Sequence, residues 1–229
     1  MAANTLQPST LVGAERRSRP ATLTGTNRDG AEKFVCTNQM PDQSDIEKFT
    51  TQTAWRRWLD RRHATSKGIW LRFAKRASGI KSVNHAEALE VALCYGWIDG
   101  QANKLDTNCW LQKFAPRKPN SLWSIVNRRK ALDLIKRGLM QPAGKAAIQR
   151  AKENGRWKAA YHPQSKAPVP PDLRAALKKH PQAAAFFATL DSRNRYAILF
   201  RLQTAKKPET RASRLAKFVS MLERGETLH

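Results

Sequence analysis

Residues 84 to 114 read NHAEALEVALCYGWIDGQANKLDTNCWLQKF, and this stretch decides the fold class. Asn84 followed three residues later by Glu87 is a capping box, in which each side chain satisfies a backbone N–H group that the start of a helix leaves open. The helix it opens runs through Ala88, Leu89, Ala92 and Leu93 and ends at Tyr95, with Gly96 in the position that turns the chain out of a helix. Trp97 to Asn103 and Cys109 to Phe114 then flank the turn residues Asp106, Thr107 and Asn108, which predicts a hairpin. The class expected is α+β, with a small antiparallel sheet packed with helices.

Upstream of this stretch, Gly68 precedes an alternation of Ile69, Leu71 and Phe73 with Trp70, Arg72 and Ala74, the period of a half-buried strand that can join the hairpin. Before it, a helix beginning at Thr51 or Thr53 sets Trp55, Trp58 and Leu59 on one stripe and Arg56, Arg57, Arg61 and Arg62 outside it. Downstream, Ser121 reads as a helix cap, Trp123, Ile125, Leu132, Leu134 and Ile135 as the apolar set, and Gly138 as the stop. Pro142 starts a further helix that Gly155 ends. Residues 161–171, YHPQSKAPVPP, hold four prolines and predict a linker. Beyond them, the pairs and triplets Leu173 and Leu177, Phe186, Phe187 and Leu190, Tyr196, Leu199 and Phe200, and Leu215, Phe218, Val219 and Leu222 are at helical spacing.

The organisation that results is a body over 45–160, a Pro-rich linker over 161–171 and a helical C-terminal module over 172–229. Residues 1–44 contain no Trp and a single aromatic, Phe34, so they are expected to be a disordered extension, or the product of a start site misassigned ahead of Met40. A chain of 229 residues buries roughly 70% of its extended surface on folding, so a real core needs neither disulfide nor metal. Lys and Arg number 42 against 18 Asp and Glu, a net charge of +24 that disfavours cationic substrates and favours anionic partners. No apolar run approaches the length of a membrane span. Cys36, Cys94 and Cys109 lack paired spacing and are expected to be free thiols in a cytoplasm.

The search for chemistry is mostly one of absences. His63, His85, His162, His180 and His229 lie on separate segments without the spacing of metal ligands, and no nucleotide loop, dinucleotide turn or nucleophile elbow is present. Neither a metal nor a cofactor is expected, and no catalytic residue is assigned. Asp99 at the start of the hairpin can hold Arg117 or Asn127, and Arg117, between two prolines, can present its planar fork to an anion. Trp97 and Trp123 stand near these polar groups in sequence and make Trp97, Asp99, Arg117, Trp123 and Asn127 the candidate ligand site. Lys206, Lys207, Arg211 and Arg214 form a second candidate, for anions or phosphates.

The blocks WRRWL, GIWLRFAKR, EALEVALCYGWIDG, FAPRKPNSLWSIVN, GLMQPAG and AKKPETRASRLAKFVSMLERG occur in an order that resembles the YdeI/OmpD-associated family, from about Phe49 to Glu226. The stretch YAILFRLQTAKK departs from it where a Trp-Ile pair is expected before the AKK block. The resemblance implies a bacterial cytoplasmic protein linked to protection against bacteriocins and cationic peptides and to envelope stress, with no catalytic residue or cofactor. The function expected is therefore binding rather than catalysis. Two other classes stay open: a nucleic-acid binder using the basic surface, and an enzyme on a small anionic substrate with Asp99 as general base beside Arg117.

Overall fold

The computed structural model describes Asp42 and residues 45–229; Cys36 and the expected disorder of the N-terminal extension lie outside the described residues. Residues 45–229 lie within one compact unit. It contains β1 (Ile46–Glu47), α1 (Gln52–Arg62), β2 (Ile69–Ala74), α2 (His85–Cys94), β3 (Trp97–Lys104), β4 (Cys109–Pro116), α3 (Ile125–Lys136) and α4 (Pro142–Glu153). Four further helices follow, α5 (Pro171–Lys179), α6 (Pro181–Thr189), α7 (Ser192–Gln203) and α8 (Pro208–Glu223). The fold is α+β, with the sheet in the first part and helices alone in the second.

The sheet order is β1-β2-β4-β3. The hairpin β3–β4 and its junction with β2 are antiparallel, and β1 adds a two-residue parallel edge that makes the sheet mixed. Nothing in the pattern of Ile46 and Glu47 marks so short a strand. Register shifts between Asp99 and Ala102, and the buried Gln112 donates from Nε2 to the Gly100 carbonyl at 2.7 Å, satisfying an acceptor beside the irregularity.

The capping box forms with both bonds, Glu87 N–H to Asn84 and Asn84 N–H to Glu87, each at 3.0 Å. Six of the ten residues of α2 are buried, which makes it the central helix of the body. The first core gathers Trp55, Trp58, Leu71, Phe73, Leu93, Trp97 and Phe114 around it. Trp55 and Trp97 are almost wholly enclosed, and their indole N–H groups are met by the carbonyls of Ala88 and His63 at 3.1 and 3.2 Å. The close approach of α4 to the end of α2 depends on Gly144, where a Cβ would run into the Cys94 carbonyl and the Met140 sulfur. Gly96 holds φ +72° beside the Ala143 carbonyl, a conformation that a side chain would strain.

One boundary differs from expectation. The cap of α3 is Ser124, whose Oγ accepts from Asn127 N–H at 3.0 Å, while Ser121 lies in a turn closed by its own N–H to the Lys118 carbonyl. Ser124 is held by a parallel bridge to Tyr161, so the chain stays extended up to that point and the helix begins only at Ile125. On α3 the buried residues are Ala131 and Leu134, whereas Leu132 and Ile135 are 50% and 41% exposed. The second core packs Leu173, Leu177, Phe187, Ile198, Leu202, Phe218 and Leu222 from α5 to α8. It joins the first through Tyr161, whose backbone bonds Trp123 and Ile125 and whose ring meets Phe200 edge-on at 5.0 Å.

Candidate functional site

Arg117 follows β4 directly, and its backbone N–H donates to the Gly96 carbonyl at 2.9 Å, which carries the chain over the turn between α2 and β3. From there its side chain lies across Trp123, with the guanidinium carbon 3.7 Å from the ring centroid. Nη1 donates to the Leu122 carbonyl at 3.0 Å, but Nε and Nη2 have no partner, although the residue is only 6% exposed. Burial pushes its pKa down to about 10, against the opposing pull of Tyr161 and Asp99. At neutral pH this is still a cation, enclosed and with two donors unused.

Asp99 influences Arg117 through its charge, but the hydrogen-bond partner the structure gives it is His85, at 3.1 Å from Nε2 to Oδ2. Both side chains are partly exposed, at 35% and 27%, so a base at Asp99 would act as one member of a His–Asp pair. Trp97 belongs to the core, its ring set against Trp55 and Trp58. Trp123 is buried edge-on to Trp157 at 4.8 Å, and Asn127 occupies the first turn of α3 with its side chain half-buried. Arg117 and Trp123 are thus brought into contact, Asp99 lies within reach of their field, and Trp97 faces the core. Tyr161 and His85 complete the surroundings. Their place depends on contacts across the chain: Tyr161 stands in a Pro-rich stretch with no period, and His85 directly after a cap, so neither carried a local signal.

The basic C-terminal residues divide in two. Arg211 makes a two-pronged bond to Asp172, Nε to Oδ2 at 2.6 Å and Nη2 to Oδ1 at 2.9 Å, and Nη1 donates to the Leu202 carbonyl. That bond holds the Asp172 carboxyl below its usual range. Arg214 donates to the Arg201 carbonyl at 2.6 Å. These two side chains tie α8 to α5 and α7. Lys206 and Lys207, just before α8, are exposed, and no ion pair involves them among the described residues. Also among the described residues, no three His, Cys, Asp or Glu side chains gather as metal ligands would, and no helix is long and apolar enough to cross a membrane.

Fold and site together define a basic α+β protein with a helical C-terminal module and cations placed without counter-charges. Residues 166–225, within the C-terminal part, match the family model described as Bacteriocin-protection, YdeI or OmpD-Associated. Residues 47–147 match a separate family model, Domain of unknown function (DUF8412), so the body is similar to a family of its own. Neither the curated proteins nor the solved structures contain a significant match.

Proposed function

We propose that this chain is a non-catalytic binding protein of the bacterial cytoplasm that takes part in protection against bacteriocins and cationic peptides, and that its direct partner is anionic. The observation that carries this reading is uncompensated charge. Residues 45–229 hold 37 Lys and Arg against 14 Asp and Glu. Among the described residues, pairs with carboxylates engage Arg72, Lys130, Arg137, Arg211 and Arg224. A cationic peptide approaching such a surface is repelled, so capture of the peptide itself has the wrong sign, whereas an anionic cell component is attracted. The description of the C-terminal family supports the setting. Cys94 and Cys109, both free and buried, accord with a reducing compartment.

The test combines the purified full chain with cells. A labelled cationic peptide should not bind at low ionic strength. Heparin, as a generic polyanion, should bind with an affinity that falls steeply with salt. Cells lacking the gene should lose survival under peptide challenge, and Lys206→Gln with Lys207→Gln should restore it less well than the wild type. Tight binding of the peptide, or unchanged survival of the deletion strain, would overturn the proposal. A duplex oligonucleotide bound far more tightly than heparin at the same salt would favour the nucleic-acid reading instead.

A further inference from the structure

The large hydrophobic residues left exposed among the described residues, Leu122, Val126, Leu132 and Ile135, all fall on α3 or on the turn that leads into it. We infer that one flank of α3 is a docking seam for an amphipathic helix of a partner protein, one that carries acidic side chains along the edge of its apolar stripe. The seam is separate from the Lys206–Lys207 pair, and its test does not depend on heparin binding, so the inference goes beyond the anionic partner proposed above.

Spacing makes the seam. Ile125, Arg128, Leu132 and Ile135 succeed one another at intervals of 3, 4 and 3 residues, the pattern with which one helix meets another. Leu132 is 50% exposed, Ile135 41%, and Ile125 is half-buried. Arg128 does not interrupt them, because its charged end is drawn off to the Trp157 carbonyl, to which Nη1 donates at 3.0 Å. The same bond shows where the seam lies. It runs along the flank of α3 that faces the turn after α4, over roughly 15 Å of helix. Val126 falls on the opposite flank, beside Lys130, and is no part of it.

Charge selects the occupant. The helix period puts Arg129 and Lys136, four residues beyond Ile125 and Leu132, along the outer edge of the seam. Both are exposed, and no ion pair holds either of them among the described residues. Asp133, the one acid of α3, is bonded to Arg137 at 3.1 Å on the side away from the seam. An apolar seam with a cationic edge complements an apolar stripe with an acidic edge. A second copy of this chain would instead bring cations to cations. A lipid surface would meet Arg129 and Lys136 first, with Leu132 and Ile135 set on the flank below them, whereas a helix is narrow enough to lie in the angle between α3 and the turn after α4. The negative end of the α3 dipole lies at Lys136, so the partner helix runs antiparallel and brings its positive end there.

Titrating a synthetic helix into the methyl-labelled full chain tests this by NMR. The probe is a peptide of about three turns, cross-linked on its far face to stay helical, with Leu along the seam and Glu at its edges. It should saturate and move the methyl resonances of Ile125, Leu132 and Ile135, while the same peptide with Lys in place of Glu binds roughly tenfold more weakly. Leu132→Ser with Ile135→Ser should weaken the Glu peptide about tenfold and leave the melting temperature within a few degrees of the wild type, since both positions are exposed. Arg129→Glu with Lys136→Glu should invert the preference, so that the Lys peptide binds the better. A response that does not saturate, or equal binding of the Glu peptide, the Lys peptide and a scrambled Glu peptide, would overturn the assignment. Phosphatidylglycerol vesicles moving the same methyl groups where the peptide does not would replace it with a lipid surface, and a dimer that the paired Ser substitutions dissolve would replace it with a second copy.

Discussion

Arg117 is held where an arginine costs stability. Enclosing a cation with only one acceptor and one ring carries a desolvation cost that stacking on Trp123 offsets in part. Arg117→Met, which keeps most of the volume and removes the charge, should therefore be about 1 kcal/mol more stable than the wild type in chemical denaturation at pH 7. Arg117→Ala should instead lose about 2 kcal/mol, because it opens a cavity. The pH dependence has a definite sign. The folded pKa, about 10, lies below arginine's ordinary value, so the cost is present in full below pH 10 and disappears as pH rises toward the unfolded value. The advantage of Arg117→Met over the wild type should accordingly close as the pH is raised above about 10. If Arg117 serves the anionic partner, the same stable variant should protect cells less well against peptide challenge. The sequence identified Arg117 as the residue to watch and named Asp99 as its companion, yet the bond Asp99 makes is to His85. Side chains that meet only because a strand end and a helix start are folded together carry no mark of it in a linear reading.

At the scale of elements, most of the body was legible. The capping box, the Gly96 stop and the hairpin are local signals, and each is satisfied within a few residues of chain. The start of α3 was not, because its position is fixed by the bridge from Ser124 to Tyr161, far along the sequence. Ser124→Ala should cost about 1 kcal/mol through loss of the cap, while Ser121→Ala should leave thermal stability within about 0.5 kcal/mol of the wild type. Gly144 shows the converse case, since by propensity alone a glycine inside α4 is a weak point, glycine being a poor helix former. Its absent side chain is what lets α4 approach Cys94 and Met140. Propensity alone would make Gly144→Ala stabilising by nearly 1 kcal/mol; the packing makes it destabilising by about 2 kcal/mol or more, since backbone must move to admit the methyl group. The sign of the change in melting temperature decides between the two.

At the scale of the molecule, two cores share one compact unit, and what joins them is narrow. Tyr161 pairs its backbone with Trp123 and Ile125, its ring meets Phe200, Tyr196 donates to the His162 carbonyl, and Gln203 accepts from His162 N–H. The sequence suggested a linker here because four prolines interrupt any period, but the first residues of that stretch are the joint itself. All seven tryptophans, Trp55 to Trp157, lie on the body's side of the joint. Tryptophan fluorescence therefore follows the body alone, while helical circular dichroism follows the body and the C-terminal helices together. In the wild type the two signals should change together on heating, as one cooperative transition. Phe200→Ala removes the ring against Tyr161 and Tyr196 without touching the residues that build the second core. A loss of about 3 kcal/mol at the joint falls on the coupling between the cores rather than within either. Circular dichroism should then begin to fall several degrees before the fluorescence, as the helices from α5 to α8 open first. Coincident transitions in Phe200→Ala, shifted together to lower temperature, would show instead that the two cores are one cooperative unit and that the joint is wider than these contacts.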